Sequence, residues 1–139
     1  MELGAWGEKE ACRYLIGKRY RIIERNARRT WGELDIVAQS PERILVLVEV
    51  KTVREAGPEG LTPEDQMSKG KIERFRRAAT LYAGSHQNLI DPLGGWRLDV
   101  IAIIVRHDSS FHPRRGFGER LRSLFMRPLP YSLKHYENI

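Results

Sequence analysis

The sequence holds a single cysteine, Cys12, among its 139 residues. One cysteine cannot form a disulfide within the chain, which is typical of proteins from a reducing compartment. The longest apolar run, around residues 44–50, is far shorter than the roughly 20 residues that a membrane-spanning helix needs. The first residues also lack an apolar segment after a basic one, so they predict no secretory signal. These absences predict a cytoplasmic protein that does not enter a membrane.

Cofactor and zinc motifs are also missing. The sequence contains no P-loop, no glycine-rich dinucleotide turn and no zinc-ligand spacing. Because its histidines lack such spacing, we expect them to be ordinary surface residues. They are His86, His107, His112 and His135. The sequence therefore gives no support for a nucleotide cofactor or a structural zinc site.

Basic residues outnumber acidic ones in the sequence. The chain has 24 lysines and arginines against 18 aspartates and glutamates, which gives a net charge of +6 at pH 7. This surplus favours a polyanionic partner, with nucleic acid as the first candidate and an anionic membrane surface as the second. The length fits one domain, and 41% hydrophobic residues are enough for one core.

Hydrophobic periodicity predicts an α/β fold with the element order α-β-β-β-α-β. The third and last strands are joined through a helix, which makes them parallel neighbours. We therefore expect a mixed central β-sheet flanked by helices, with loops at residues 26–31 and 52–63. The predicted elements are a helix over residues 1–17, strands over 20–25, 33–38 and 44–51, a helix capped by Thr62 that runs to about residue 83, and a strand over 96–105.

The end of the chain differs in composition from the rest. Residues 106–139 carry prolines, glycines and clustered arginines, with too few apolar residues for a core of their own. We predict an α/β domain over residues 1–105 and a basic, partly irregular C-terminal appendage over residues 106–139. Its arginines are expected either to contact phosphates nonspecifically or to be disordered. They are Arg114, Arg115, Arg120, Arg122 and Arg127.

Charged residues stand at the end of the most apolar part of the sequence. Residues 32–51 predict two strands around a turn. Because side chains alternate along a strand, pairing of these strands can bring Asp35, Glu49 and Lys51 together on one face. Burying ions is unfavourable unless they are paired or bind a metal. The group is therefore either a structural ion pair at a strand end or a functional site.

These residue types suit phosphodiester hydrolysis. Mg²⁺ binds hard oxygens, keeps several waters and takes about one or two carboxylates from a protein, which Asp35 and Glu49 can supply. The metal lowers the pKa of a bound water and offsets charge on the scissile phosphate. Lys51 can orient or deprotonate the attacking water, or stabilise the negative charge that develops.

Together with other segments, these residues resemble the YraN-like family of uncharacterised bacterial proteins. Through that family the chain is similar to the PD-(D/E)XK nuclease superfamily, which has the restriction-endonuclease-like fold, and to archaeal Holliday-junction resolvases. The resemblance covers about residues 4–105. The matching segments are Gly4-x-x-Gly7-Glu8-x-x-Ala11, Arg25-Asn26-x-Arg28, Gly32-Glu33-Leu34-Asp35-Ile36-Val37-Ala38, Val48-Glu49-Val50-Lys51, Lys71 with Ala79 and Tyr82, and Arg97-Leu98-Asp99-Val100.

The resemblance implies a nuclease site formed by Asp35, Glu49 and Lys51. It also implies that Glu8 is a further metal ligand or a water-positioning group, although a favourable charge near a helix N-terminus explains this residue equally well. The chain departs from the family at Val53, where an arginine often follows Lys-Thr. The superfamily includes members that have lost activity.

Two further sets of residues are candidates for contacts with nucleic acid. Arg25, Arg28 and Arg29 belong to a predicted basic loop, and such loops contact phosphates. Gln66 and Lys71 lie near the start of the second predicted helix and can face the phosphate backbone. A solvated loop and a solvated helix face explain the two sets equally well.

We predict a Mg²⁺- or Mn²⁺-dependent nuclease that acts on DNA, including branched or damaged DNA. Two alternatives are a noncatalytic nucleic-acid-binding module that kept the fold, and an accessory protein whose basic tail docks onto an acidic partner. A junction-cleaving enzyme would need two sites, which makes a homodimer a candidate assembly. Asp99 beside Arg97 is expected to be structural.

Overall fold

The computed structural model of the protein describes residues 2–55, 67–106 and 131–139. These residues follow the predicted order α-β-β-β-α-β, with one more strand at the end. None of the helices in this part of the chain is long and apolar enough to cross a membrane. In chain order the elements are α1 (Leu3–Gly17), β1 (Arg21–Arg29), β2 (Gly32–Gln39), β3 (Leu45–Arg54), α2 (Lys69–Ser85), a 3₁₀ helix (Gln87–Leu89), β4 (Trp96–Val105) and β5 (Tyr131–Tyr136).

The strands form one five-stranded sheet in the order β1-β2-β3-β4-β5. β1, β2 and β3 pair antiparallel in succession, β4 runs parallel to β3, and β5 runs antiparallel to β4. The parallel pair follows from the connection through α2, as the sequence predicts. The sheet is therefore mixed, and β1 and β5 are its edges.

A hydrophobic layer covers each face of the sheet. On one face α1 buries residues such as Leu15 against β2, β3 and β4, and on the other face α2 buries residues such as Tyr82. Because both faces are covered, β4 is apolar along most of its length. Val50 packs on the α1 side, so Glu49 and Lys51, which flank it on β3, face the α2 side.

Three elements differ in extent from the prediction. β1 continues through Arg29, so the predicted loop is wrong for residues 26–29, where pairing with β2 outweighs the polar composition, and right for the turn at residues 30–31. β3 continues through Arg54 because it pairs along its whole length with β4. α2 begins later than predicted, at Lys69, where the Ser68 side chain caps its first turn.

The last strand is an element that the sequence does not predict. Tyr131–Tyr136 pairs with β4 at the edge of the central sheet, within the segment predicted as a partly irregular appendage. The side chain of His135 on this strand is only 6% exposed, so the expectation of a surface histidine is wrong at this position. The short polar strand lacks the apolar run that predicts a strand, and its position depends on distant partners.

Some predictions concern residues outside the described part of the chain. These residues are Thr62, Gln66, His107, His112 and the arginine cluster within residues 107–130, and residues 56–63 of the predicted loop also lie there. The division of the chain at residue 105 therefore stays a prediction, and so do the roles proposed for these side chains.

Candidate active site

β2 and β3 separate where the acidic residues of the hairpin begin. The two strands pair as far as Ile36 and Val48. Beyond this pair, the side chain of Asp35 takes the place of a backbone partner, since its Oδ2 accepts a hydrogen bond from the backbone N–H of Val50 at 2.8 Å. The Asp35 carboxylate is therefore fixed in the gap between the two strands.

Glu49 and Lys51 stand on either side of Val50 and complete this group. Their side chains are 22% and 26% exposed, and Lys51 Nζ lies 3.7 Å from Glu49 Oε1. In its protonated form Glu49 also donates a hydrogen bond to Asp35. The structure therefore brings together the three residues that the hairpin pattern predicts as neighbours.

The group is short of positive charge. Burial, and then the negative charge of Asp35, raises the pKa of Glu49 to about 8, although Lys51 opposes the shift. Burial also raises the pKa of Asp35, against the effect of the Val50 N–H. The two carboxyl groups therefore share a proton near neutral pH, because one lysine does not compensate both negative charges.

Glu8 reaches the same group from α1. Burial is the main cause that raises the pKa of Glu8, and the negative charge of nearby Asp35 adds to it. A hydrogen bond with the Asn26 side chain and the positive charge of Arg25 act in the opposite direction. The charges of Glu8 and Asp35 therefore interact, and the role of Glu8 in the site stays a prediction.

Close packing of α1 on β3 sets the position of Glu8. A Cβ atom on Gly7 would collide with the side chain of Thr52, so the helix can approach the strand this closely only at a glycine. The Thr52 hydroxyl is buried and has no hydrogen-bond partner among the described residues. Glu8 follows Gly7 and Lys51 precedes Thr52, so this contact fixes the spacing between the helix and the site strand.

The predicted arginine contacts divide into two kinds. Arg28 pairs with Glu33 at 3.4 Å, and Arg29 pairs with Glu24 at 3.2 Å. Both arginines are therefore engaged by carboxylates of the paired strands β1 and β2. Arg25 differs from both. Its positive charge lowers the pKa of Glu8, so Arg25 is the predicted arginine that lies beside a carboxylate of the candidate site.

The α2 helix presents a basic surface beside the site. Lys71 is exposed in its first turn, next to Ile72, which lines a pocket together with Lys51. Within the described residues, no ion pair joins the basic side chains of α2 to an acidic one. These side chains are Lys69, Lys71, Arg74, Arg76 and Arg77.

Asn26 is a site residue to which sequence reasoning gave no role. Its backbone φ of 50° is in the left-handed region, which asparagine adopts more readily than most residues. There its side chain hydrogen-bonds Glu8. The available signal was an asparagine within a basic segment between Arg25 and Arg28. No local signal marks the backbone N–H of Val50.

The role of Glu8 as a further metal ligand stays a prediction, and Asp35 and Glu49 are the residues that could hold a metal ion together. Their oxygens are the hard donors that Mg²⁺ prefers, and a cation would relieve the repulsion between the two closest carboxylates. In the parts of the chain that the structure describes, no three His, Cys, Asp or Glu side chains are close enough to hold a metal by themselves. Since Mg²⁺ takes only about one or two protein carboxylates beside water and phosphate, this donor set fits it.

Comparison with known proteins gives the family of the chain. The model of the uncharacterised protein family UPF0102 matches residues 7–103. The chain belongs to UPF0102. This membership confirms the predicted YraN-like family, and the match to UPF0102 includes Glu8, Asp35, Glu49 and Lys51.

Relatives in UPF0102 are similar over most of their length. A UPF0102 protein of Syntrophomonas wolfei is 38% identical over 109 residues, which cover 78% of this chain and 90% of the relative. One from Chlorobaculum tepidum is 37% identical over 124 residues, covering 89% and 92%. One from Streptomyces griseus is 39% identical over 114 residues, covering 82% and 86%. Their names give the family and no activity.

Proposed function

We propose that this UPF0102 protein is a metal-dependent nuclease that hydrolyses phosphodiester bonds in DNA. The observation that carries the proposal is the split between β2 and β3, where Asp35, Glu49 and Lys51 meet. Two partly buried carboxyl groups with one lysine are suited to bind a divalent cation beside a phosphate. The proposal also agrees with the resemblance to PD-(D/E)XK nucleases.

Each residue has a role that its surroundings support. Asp35 is held through one oxygen by the Val50 N–H, so its other oxygen can face a ligand in a fixed orientation. Glu49 supplies a second carboxylate, which gives up its proton when positive charge arrives. Lys51 lies 3.7 Å from Glu49 and can orient the attacking water or stabilise negative charge that develops on the phosphate.

Asp35 and Glu49 would hold Mg²⁺ or Mn²⁺, which supplies a water of lowered pKa and offsets charge on the phosphate. Glu8, whose pKa the negative charge of Asp35 helps to raise, is a candidate to position that water. Arg25 beside Glu8 and the basic surface of α2 supply the positive charge that favours a nucleic-acid backbone.

Cleavage of a labelled substrate panel tests the proposal. Single-stranded, duplex, flapped and four-way-junction DNA, together with matching RNA, is incubated with Mg²⁺, Mn²⁺ or a chelator. We expect the wild-type protein to cleave DNA only with metal. Glu49→Ala and Lys51→Ala should each lower the rate by about 10²-fold or more, because each removes a group that acts on the reacting atoms.

The matched control is Glu42→Ala. Glu42 is an exposed glutamate in the turn between β2 and β3, at the end of the hairpin opposite the split. Its removal should leave cleavage unchanged. Cleavage that persists in Glu49→Ala, or that is as fast in chelator as in metal, would contradict the proposal.

A noncatalytic DNA-binding module is the second candidate, and the basic surface of α2 favours it. In that case the protein binds DNA with a steep salt dependence but does not cleave it. Glu49→Ala would then bind as well as wild type, whereas Lys71→Ala combined with Arg74→Ala would bind less tightly and with a smaller salt slope. Fluorescence anisotropy over a salt series measures both quantities.

A further inference from the structure

β5 extends the face of the sheet that carries the candidate site. In the register of the sheet, Glu49 lies opposite Val100, and Val100 lies opposite Tyr136. Residues directly opposite one another share a face, so Tyr136 is on the Glu49 side. Two strand spacings separate them, a distance of about 10 Å.

A second row runs parallel to the first. Lys51 lies opposite Ala102, and Ala102 lies opposite Lys134. The small side chain between the two lysines leaves room above the sheet. β5 therefore adds an aromatic ring in one row and a lysine in the next, both on the face of the candidate site.

A pocket of about 200 Å³ occupies the space between these rows and α2. Its walls are almost entirely apolar, and Lys51 supplies the charged group at its edge. The residues that line it include Lys51, Ile72, Val100, Ala102 and Tyr136. The pocket thus joins the candidate site to β5.

The chemistry of the pocket suits a nucleobase. The aliphatic walls and the Tyr136 ring offer apolar contacts to the faces of a flat ring. Lys51 and the lysines in the first turn of α2 suit the phosphate that the same nucleotide carries. An apolar peptide side chain would gain nothing from these positive charges. A base within a duplex is stacked and paired, so only an unpaired or extruded base can enter.

We propose that this pocket receives an unpaired nucleobase beside the phosphate at the Asp35–Glu49–Lys51 site, with Tyr136 as its stacking partner. The proposal rests on the proposed nuclease function and narrows its substrate to DNA with unpaired nucleotides, such as bulges, flaps and branch points. It makes β5 a substrate-contacting element, although the family match ends at residue 103, before this strand.

A single-nucleotide bulge tests the proposal because it fixes the position of the unpaired base. One hairpin duplex carries one unpaired adenine, and a second carries an abasic residue at the same place. Affinities are measured by fluorescence anisotropy in chelator, where no metal-dependent cleavage occurs. We expect wild type to bind the adenine bulge about tenfold more tightly than the abasic bulge.

Three variants separate the pocket from the general phosphate contacts. Ala102→Leu fills the pocket and Tyr136→Leu removes the ring, so both should lose the preference for adenine while binding the abasic duplex as wild type does. Tyr136→Phe keeps the ring and should keep the preference. Melting curves confirm that each variant is folded, and Tyr136→Leu serves if Ala102→Leu does not fold.

Two results would overturn the proposal. One is a wild-type protein that does not distinguish the two bulges, whether it binds both or neither. The other is a preference that survives in a folded Ala102→Leu or Tyr136→Leu variant. Since binding is measured without metal, a protein that prefers the adenine bulge but cleaves no DNA would refute the nuclease function and leave the base pocket standing.

Discussion

Asp99 on β4 lies opposite Val48, the residue before Glu49 on β3, so the two acidic side chains are neighbours on opposite faces of the sheet. They differ in the hydrogen-bond donors that surround them. Asp99 is fully buried and takes bonds from Arg97 Nε at 3.0 Å, His135 Nε2 at 2.7 Å and the backbone N–H of Asn138 at 3.0 Å. Burial alone would raise the pKa of Asp99, but these bonds outweigh it and hold the pKa below its usual value.

Glu49 is more exposed than Asp99, yet its pKa rises to about 8. Burial and the charge of Asp35 act on it, and Lys51 at 3.7 Å is the one cation paired with it among the described residues. A carboxylate that its own chain satisfies holds the fold together. One that is left short of positive charge is suited to a bound cation, and this difference supports the function proposed for the Asp35–Glu49–Lys51 group.

Removal of Asp99 should have the largest effect on stability. Asp99→Ala removes the carboxylate that Arg97 and the buried ring of His135 share, so we expect a loss of about 3–5 kcal/mol in the free energy of unfolding. Urea denaturation measures it. The control Asp91→Ala breaks a partly exposed pair with Arg43 at 3.9 Å and a 2.8 Å hydrogen bond from the backbone N–H of Leu93, and should lose about 1–2 kcal/mol. Equal losses in the two variants would contradict the larger contribution to stability that is expected of Asp99.

Glu49→Gln should raise the free energy of unfolding at high pH, whereas Asp99→Ala lowers it. The folded-state pKa of about 8 lies above the ordinary value of 4.5, so the contribution of Glu49 to stability is present below about pH 4.5 and is lost as the pH rises through 8. At about pH 9 in chelator we expect Glu49→Gln to gain about 1–3 kcal/mol of unfolding free energy, with no gain near pH 4.

Urea denaturation at the two pH values measures this change. Asp99→Asn is the matched control, because the lowered pKa of Asp99 means that its contribution is present above its ordinary pKa and lost as the pH falls. It should lose stability at about pH 9. A loss rather than a gain in Glu49→Gln would mean that the chain satisfies Glu49 as fully as it does Asp99.

A divalent cation should supply the positive charge that the Asp35–Glu49–Lys51 group lacks and the surroundings of Asp99 already have. Because the cation displaces the proton shared by Asp35 and Glu49, its Kd should be lower at higher pH. Mn²⁺ at one fixed concentration, several times its Kd at about pH 8.5, should stabilise the protein by about 1 kcal/mol at that pH and by less at about pH 6.5. Thermal melting over a Mn²⁺ series measures the effect, and Asp35→Asn should abolish it. A shift that is independent of pH, or that survives in Asp35→Asn, would place the cation elsewhere.

The sequence predicts best the features that depend on local pattern. β4 has the predicted bounds, Trp96–Val105, because its apolar run is continuous. Glu49 and Lys51 share a face because strands alternate, and Asp35 meets them because the two strands form a hairpin. Asp99 pairs with Arg97 at 3.0 Å, which agrees with the structural role predicted for Asp99.

Features that depend on distant partners escape such prediction. The hydrogen bond from Val50 to Asp35 depends on where two strands separate, and the depth of α1 depends on the contact between Gly7 and Thr52. β5 is short and polar, so its own residues give no strand signal, and pairing with β4 makes it a strand. Because His135 lies on β5, the sequence does not predict it as a third partner of Asp99.

The smallest expected effect concerns the support of His135. Tyr14 Oη lies 3.2 Å from His135 Nδ1, and Tyr14→Phe removes this contact while keeping the ring. We expect a loss of about 0.5–1 kcal/mol in urea denaturation. Tyr20→Phe should lose more, because Tyr20 Oη accepts a 2.9 Å hydrogen bond from the charged side chain of Arg97. The reverse order would mean that His135, rather than Arg97, is the main support of Asp99. In that case the hydrogen bonding of Asp99 would depend mainly on β5, the strand that the sequence does not predict.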